Sequence, residues 1–177
     1  MKYLFIAYAL ISLGSGIAFA QDSSGAQAGA NGPGPVYAAK DVDKKAIIFE
    51  RIEPGYTEKA QTSKVEGVVL LSIVLAADGR VTDVAVINGL AGGLTEKAID
   101  AAKKIKFTPA VKDGSRVSVR VKLAYYFVLP GGSYYGDSSK KAYYKYGCHR
   151  GIEPAAFVVF KSKKEAEASG YKKADCP

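Results

Sequence analysis

The sequence predicts an α+β chain: a three-stranded antiparallel sheet with one packed helix, ordered ββαβ, followed by a small strand–helix module. Three observations carry this. Val117, Val119, Val121 and Leu123 alternate with Arg116, Ser118, Arg120 and Lys122, the period of a strand packed on one face and wet on the other. Asp78-Gly79 separates two runs, VVLLSIVL and VTDVAVIN, and tolerates the positive φ of a tight hairpin turn. Leu94, Ala98, Ala101, Ala102 and Ile105 recur at helical spacing, with Lys97, Asp100, Lys103 and Lys104 elsewhere on the wheel.

Taken in order, residues 1–20 read as a secretory signal peptide. Lys2 supplies a positive start, Tyr3 to Leu13 an apolar core, and Ala18-Phe19-Ala20 a small-x-small cleavage pattern. The rival is a retained membrane anchor, since Tyr3 to Ala20 is about long enough to span a bilayer; Gly14, Ser15 and Gly16 weaken it. Residues 21–45 form a flexible leader of Gly, Ala, Ser and Pro, too poor in large apolar groups to offset its ordering entropy.

Residues 46–129 hold the main domain. Ile47, Ile48, Phe49 and Ile52 suit a short edge strand or packing on the sheet, and Tyr56 to Ser63 suit one or two helical turns. In the first main strand Val69, Leu71, Ile73 and Leu75 share a face, with Ser72 on the other. Val84 and Val86 mark the face of the returning strand. Thr95 or a neighbour is placed to cap the main helix, with Glu96 near its positive end and Lys103, Lys104 and Lys106 near its negative end. Thr108-Pro109 ends that pattern.

These residues resemble the C-terminal domain of the TonB family. The resemblance rests on Tyr56 and Ala60, Glu66-Gly67-Val68, Asp78-Gly79-Arg80-Val81, Leu94-Thr95-Glu96-Lys97-Ala98, Lys104 to Ala110, and a final amphipathic strand ending in aromatics. Thr57 stands where the family usually has proline and Ile105 where it commonly has tryptophan, and the chain continues past the last strand. The resemblance implies a periplasmic protein-binding module contacting outer-membrane receptor segments, in support of transport across the outer membrane. The physical route is strand addition to an exposed sheet edge. The candidate edge is the last strand, Arg116 to Leu129, with Arg116, Ser118, Arg120, Lys122, Tyr125 and Tyr126 as candidate partner-binding residues. Family members that energise the membrane use a long Pro-rich spacer. Here Gln21 to Ala46, fully extended, reaches only about 90 Å. That favours the alternative of an envelope scaffold or adaptor with no energising role.

Residues 130–139 read as a linker, and 140–177 as a second module. Phe157 to Phe160 form its strand, Ser162-Lys163-Lys164-Glu165 a capping box, and Gly170 a helix stop. The tail is similar to the small metal-binding domain of the Ada family through Tyr144, Cys148, Ile152, Val159, Ser162, Glu165-Ala166, Gly170-Tyr171 and Cys176. That family's zinc form needs four thiolates, and only Cys148 and Cys176 are present. In an exported protein two cysteines bracketing a tiny core favour a disulfide over a metal site.

No catalytic constellation is apparent. His149 is the one histidine, without a serine or acid at a suggestive spacing, and Gly92-Gly93 lack the lysine of a phosphate loop. The expectation is a non-enzyme with no cofactor and no metal. A net charge of +8 suits anionic cell-envelope polymers. Interleaved Tyr and Lys from Tyr134 to Tyr146 superficially resemble a nucleic-acid surface, but an exported protein seldom meets nucleic acid and none is expected as a partner. The expected location is the periplasm or cell envelope, with the inner membrane as the alternative if the N-terminal segment is retained.

Overall fold

The computed structural model describes residues 34–131 and 133–176. The expected signal peptide and most of the leader therefore lie outside the described residues. In chain order the elements are β1 (Val36–Ala38), β2 (Ile47–Glu50), α1 (Glu58–Thr62), β3 (Gly67–Leu75), β4 (Val81–Asn88), α2 (Leu94–Ala102), β5 (Lys106–Thr108), β6 (Ala110–Lys112), β7 (Ser115–Phe127), β8 (Tyr134–Asp137), β9 (Ala142–Tyr144), β10 (Phe157–Phe160), α3 (Lys163–Ala168) and β11 (Lys172–Lys173). The class is mixed α+β.

The centre is β3, paired antiparallel with β4 on one side and β7 on the other. Its register with β7 runs unbroken from Gly67 opposite Phe127 to Leu75 opposite Val119. Val69, Leu71, Ile73 and Leu75 thus share a face with Val119, Leu123, Tyr125 and Phe127, and all eight are buried. α2 covers that face with Leu94, Ala98, Ala101 and Ala102, whose small side chains permit close approach. Burying one such Leu or Val contributes roughly 1.5–3 kcal/mol, so this face dominates the stability of the domain. The Asp78-Gly79 turn forms as the sequence predicts, with Gly79 at φ 87° and Ala76 N–H donating to the Arg80 carbonyl. On β4, Asp83 at φ 47° marks a bulge where the register with β3 shifts between Ser72 and Val74.

The helix departs from expectation at both ends. Gly93, in left-handed geometry, occupies the N-cap without a side-chain cap. Thr95 instead ties the preceding loop, its hydroxyl accepting from Leu90 N–H and donating to the Leu90 carbonyl. The helix stops at Ala102 rather than near Thr108, because Lys106–Thr108 leave it to pair with β2. Sheet pairing overrides the lysine-rich helical pattern there. α1 forms as expected, and Thr57, which stands where the resembling family has proline, is its N-cap. The Thr57 hydroxyl accepts from Ala60 N–H and donates to the Gly92 carbonyl at 2.5 Å. A Cβ on Gly92 would stand 3.1 Å from the Ala60 backbone, and its φ is 74°, so only glycine fits this crossing of loop and helix.

Two differences concern the segments expected to be unstructured. Within the leader, Val36–Ala38 pair in parallel with Ser118–Arg120. Within the expected linker, Tyr134–Asp137 form β8, which pairs with both β9 and β10. Composition misled because the tyrosines are core residues: Tyr135, Tyr143 and Tyr144 are buried. The tail is a four-stranded sheet, ordered β10-β8-β9-β11. Gly136 is required at its centre, since a Cβ there would come within 2.7 Å of the Phe160 ring and 3.0 Å of Tyr171. α3 starts as the sequence predicts. The Ser162 hydroxyl accepts from Glu165 N–H, and the Glu165 carboxylate accepts from Lys161 N–H. Cys148 and Cys176 lie side by side with Cα atoms 4.9 Å apart, within disulfide span.

Candidate partner-binding edge

β7 is the longest strand, and its surroundings change along its length. Ser115–Lys112 closes a hairpin with β6, and Ser118–Arg120 hold β1. From Val121 to Phe127, among the described residues, β7 pairs with β3 alone. On this outer side the Ala124 carbonyl accepts from the Arg51 guanidinium at 2.6 Å. A cleft of about 460 Å³ lies along β1, bordered by Val36, Tyr37, Ala38, Ser72, Arg120, Val121 and Lys122.

The six residues nominated from sequence separate into three groups. Arg116 and Lys122 are exposed on the polar face. Ser118 and Arg120 already have partners. The Ser118 hydroxyl accepts from Ala77 N–H at 3.1 Å. Arg120 donates to Ser72 Oγ at 3.4 Å and pairs with Asp83 across the β4 bulge. Tyr125 and Tyr126 do not form part of an open surface. Tyr125 is 0% exposed, with Arg51 stacked on its ring at 4.4 Å. Burial pushes its hydroxyl pKa up to about 12, with Arg51 opposing and Glu53 adding to the rise. Tyr126 is half-buried against the tail: its hydroxyl donates to the Ile152 carbonyl at 2.5 Å and its ring packs on Phe157 and His149. The physical reason is parity. Tyr125 continues the core face of Leu123, and Tyr126 continues the Arg120 face to the point where the tail covers it.

Sequence reasoning missed the group that fixes the tail here. Glu66, at the entry to β3, accepts from Leu129 N–H at 2.8 Å and Tyr135 OH at 2.8 Å, and also from the Ser133 hydroxyl. Burial first, then this carboxylate, drive the Tyr135 pKa far above its ordinary value. The signal lay in the Glu66-Gly67 pair, which carried the family resemblance without revealing what the carboxylate would bind. Arg51 and Asp83 were missed for the same reason, each needing a partner distant in sequence.

Among the described residues no group of three or more His, Cys, Asp or Glu is arranged to hold a metal ion. None of the described helices is long and apolar enough to cross a membrane.

Comparison with known proteins places this geometry in context. Residues 52–129 match the family described as Gram-negative bacterial TonB protein C-terminal. Protein TonB of Vibrio cholerae is 31% identical over 91 residues, which cover 51% of this chain and 37% of that protein. The chain therefore matches little more than a third of its curated relative's length. Among solved structures, the TonB CTD of Pseudomonas aeruginosa matches at 23% identity and a TM-score of 0.41, covering 49% of this chain and 88% of the other. The Helicobacter pylori TonB-CTD matches at 29% identity and a TM-score of 0.29, covering 43% and 71%. Residues 52–129 of this chain are thus similar to the C-terminal domain of the TonB family.

Proposed function

We propose that this protein is a periplasmic binding module that takes an extended segment of an outer-membrane receptor, or of another envelope protein, by strand addition along the outer side of β7, in support of transport across the outer membrane. The observation that carries this reading is the run Val121–Phe127, which has no strand on its outer side among the described residues, within the span that matches the TonB family. Main-chain groups supply affinity in this mode. Arg116 and Lys122, exposed beside the edge, favour acidic flanks on the partner. The work required is binding, and no enzymatic step is assigned.

The test is affinity capture from outer-membrane extract with the native chain and with an Arg116→Glu, Lys122→Glu variant. Retrieval of an outer-membrane protein by the native chain, reduced in the variant, supports the reading. Retrieval of none by the native chain sinks it. A second reading, an envelope adaptor without an energising role, is favoured by the additional module tied to the sheet through Glu66. Mass spectrometry of the mature N-terminus separates the two. A start at Gln21 leaves only soluble roles, whereas a retained Met1 segment leaves force transmission open.

The tail functions in this reading as a Cys148–Cys176 stapled unit, with Ada-like strand–helix order and without that family's metal. The 28-residue separation of the cysteines corresponds to roughly 3–4 kcal/mol by the chain-entropy estimate. Reductant, but not chelator, should loosen the tail and leave the main domain folded. Two free thiols in the native protein would rule the staple out.

A further inference from the structure

The partner edge of β7 is not empty along its whole length. Val36–Ala38 pair with Ser118–Arg120 in parallel, on the side of β7 opposite β3. We propose that β1 is a resident occupant of the strand-accepting edge, and that an incoming extended segment competes with it for the backbone of Ser118–Arg120. The inference rests on the strand-addition reading given above and adds its regulation.

Four features make β1 displaceable. It is three residues long, so it offers few ladder hydrogen bonds against the entropy of ordering the chain. Its apolar contribution is small: Val36 is 44% exposed, Ala38 is exposed, and only Tyr37 is partly buried against the core. The one ring contact, Lys112 over Tyr37 at 5.6 Å, is long and solvent-screened. Finally, β1 has its own hinge. The chain turns at Ala39–Asp41 and is then fixed by a separate anchor, where Asp43 and Lys44 N–H donate to the Val111 carbonyl and the Asp43 carboxylate accepts from Asp113 N–H. β1 can leave without disturbing that anchor or the β3–β7 ladder.

The remainder of the edge is poised to receive the competitor. The cleft runs beside all three β1 residues and reaches Val121 and Lys122. Since the last β1 pair is Ala38 with Arg120, a strand entering along Val121–Phe127 meets β1 at Arg120. Apparent affinity is then reduced by the fraction of chains whose edge is free.

The probe is a synthetic peptide copying residues 34–40, Gly-Pro-Val-Tyr-Ala-Ala-Lys, titrated into the full chain with amide signals of Ser118–Val121 as readout. Tyr37→Pro removes a backbone donor and sets a φ poorly suited to the pairing. Val36→Asp serves as a second variant, and unchanged signals from Leu71 and Ile73 confirm that each is folded. Both variants should bind the peptide about tenfold more tightly than the native chain, following the freed fraction. Equal affinity for native chain and variants overturns the competition while leaving strand addition intact. Absence of binding to any of them overturns both.

Discussion

The two halves of β7 face different surroundings, and the difference explains both the exposed edge and the tail. From Arg116 to Lys122 the strand has one buried face and one polar face. Arg116, Arg120 and Lys122 are exposed there, while Val119 behind them is 1% exposed. From Leu123 to Phe127 the core face continues as Leu123, Tyr125 and Phe127, but the other face is no longer open. Tyr126 lies under Phe157 and His149, and Val68 opposite it is buried. One strand thus presents a wet face at one end and serves as an interlayer between two cores at the other. The open polar face ends at Lys122, whereas the outer edge without a strand, among the described residues, runs from Val121 to Phe127.

The most severe way to break this contrast is at the interlayer. Tyr125→Ala should cost roughly 3–5 kcal/mol, the range for truncating a buried aromatic, whereas Lys122→Ala three residues away should stay within about 0.5 kcal/mol. Urea unfolding of the two variants measures both. Removing the tail's tether is next. Glu66→Ala leaves Tyr135 OH, Ser133 OH and Leu129 N–H without their acceptor, at a cost of about 1–3 kcal/mol if one buried donor stays unpaired. Proteolysis should then cut within residues 130–139, while the β3–β7 sheet remains resistant.

Titration sharpens the comparison further. Buried Tyr125 has its pKa raised from 10.0 to about 12. A raised folded value means stability is complete below the unfolded value of 10 and is lost as pH climbs through 12. Tyr126, Tyr135 and Tyr56 shift the same way, each chiefly through burial. Tyrosinate absorbance should therefore lag at pH 10–12 and rise together with unfolding. At the acid end the tail should give way first. Asp137, 2% exposed, is held below the usual carboxylate range, first by the Ser139 hydroxyl at 2.5 Å and then by Lys140. A lowered folded value gives stability present above the unfolded carboxylate value and lost as pH falls through the folded one. Asp137→Asn should remove that acid sensitivity, read as tail proteolysis against pH. The smallest effect is expected at Arg120→Ala. Its pair with Asp83 is solvent-exposed, and such pairs contribute about 0–1 kcal/mol.

The contrast along β7 was partly legible in the sequence. Alternation from Arg116 to Leu123 identified the half with an exposed polar face, and the Asp78-Gly79 turn and the Ala-rich helix identified what lies behind it. The closed half had a signal as well. Val68 and Leu70 make β3 apolar on its second face, the pattern of a strand covered on both sides, yet nothing local says what covers it. The cover is a set of tyrosines spaced among Gly, Ser and Lys, a composition that reads as linker until Tyr135 and Tyr144 close around Ile152. Thr57 is similar: its residue type suggests a helix cap, but its bond to the Gly92 carbonyl joins positions 35 apart. Helix length failed at Lys106–Thr108 because the pairing with Ile47–Glu50 is also non-local. At the proposed partner edge the charges were legible. The strand occupying it, the burial of Tyr125 and the tether at Glu66 were not, since each depends on which segments meet in the fold.

Site-directed photo-cross-linking in the intact envelope tests the central claim most directly, with one probe residue replacing Lys122 and, separately, another replacing Tyr126. A partner added along Val121–Phe127 should be captured as an outer-membrane protein adduct from position 122, whose side chain is on the open face. Position 126 should yield only links within the chain, to the segment around Ile152 and Phe157. Adducts to an outer-membrane protein from position 126 and none from position 122 would contradict the account.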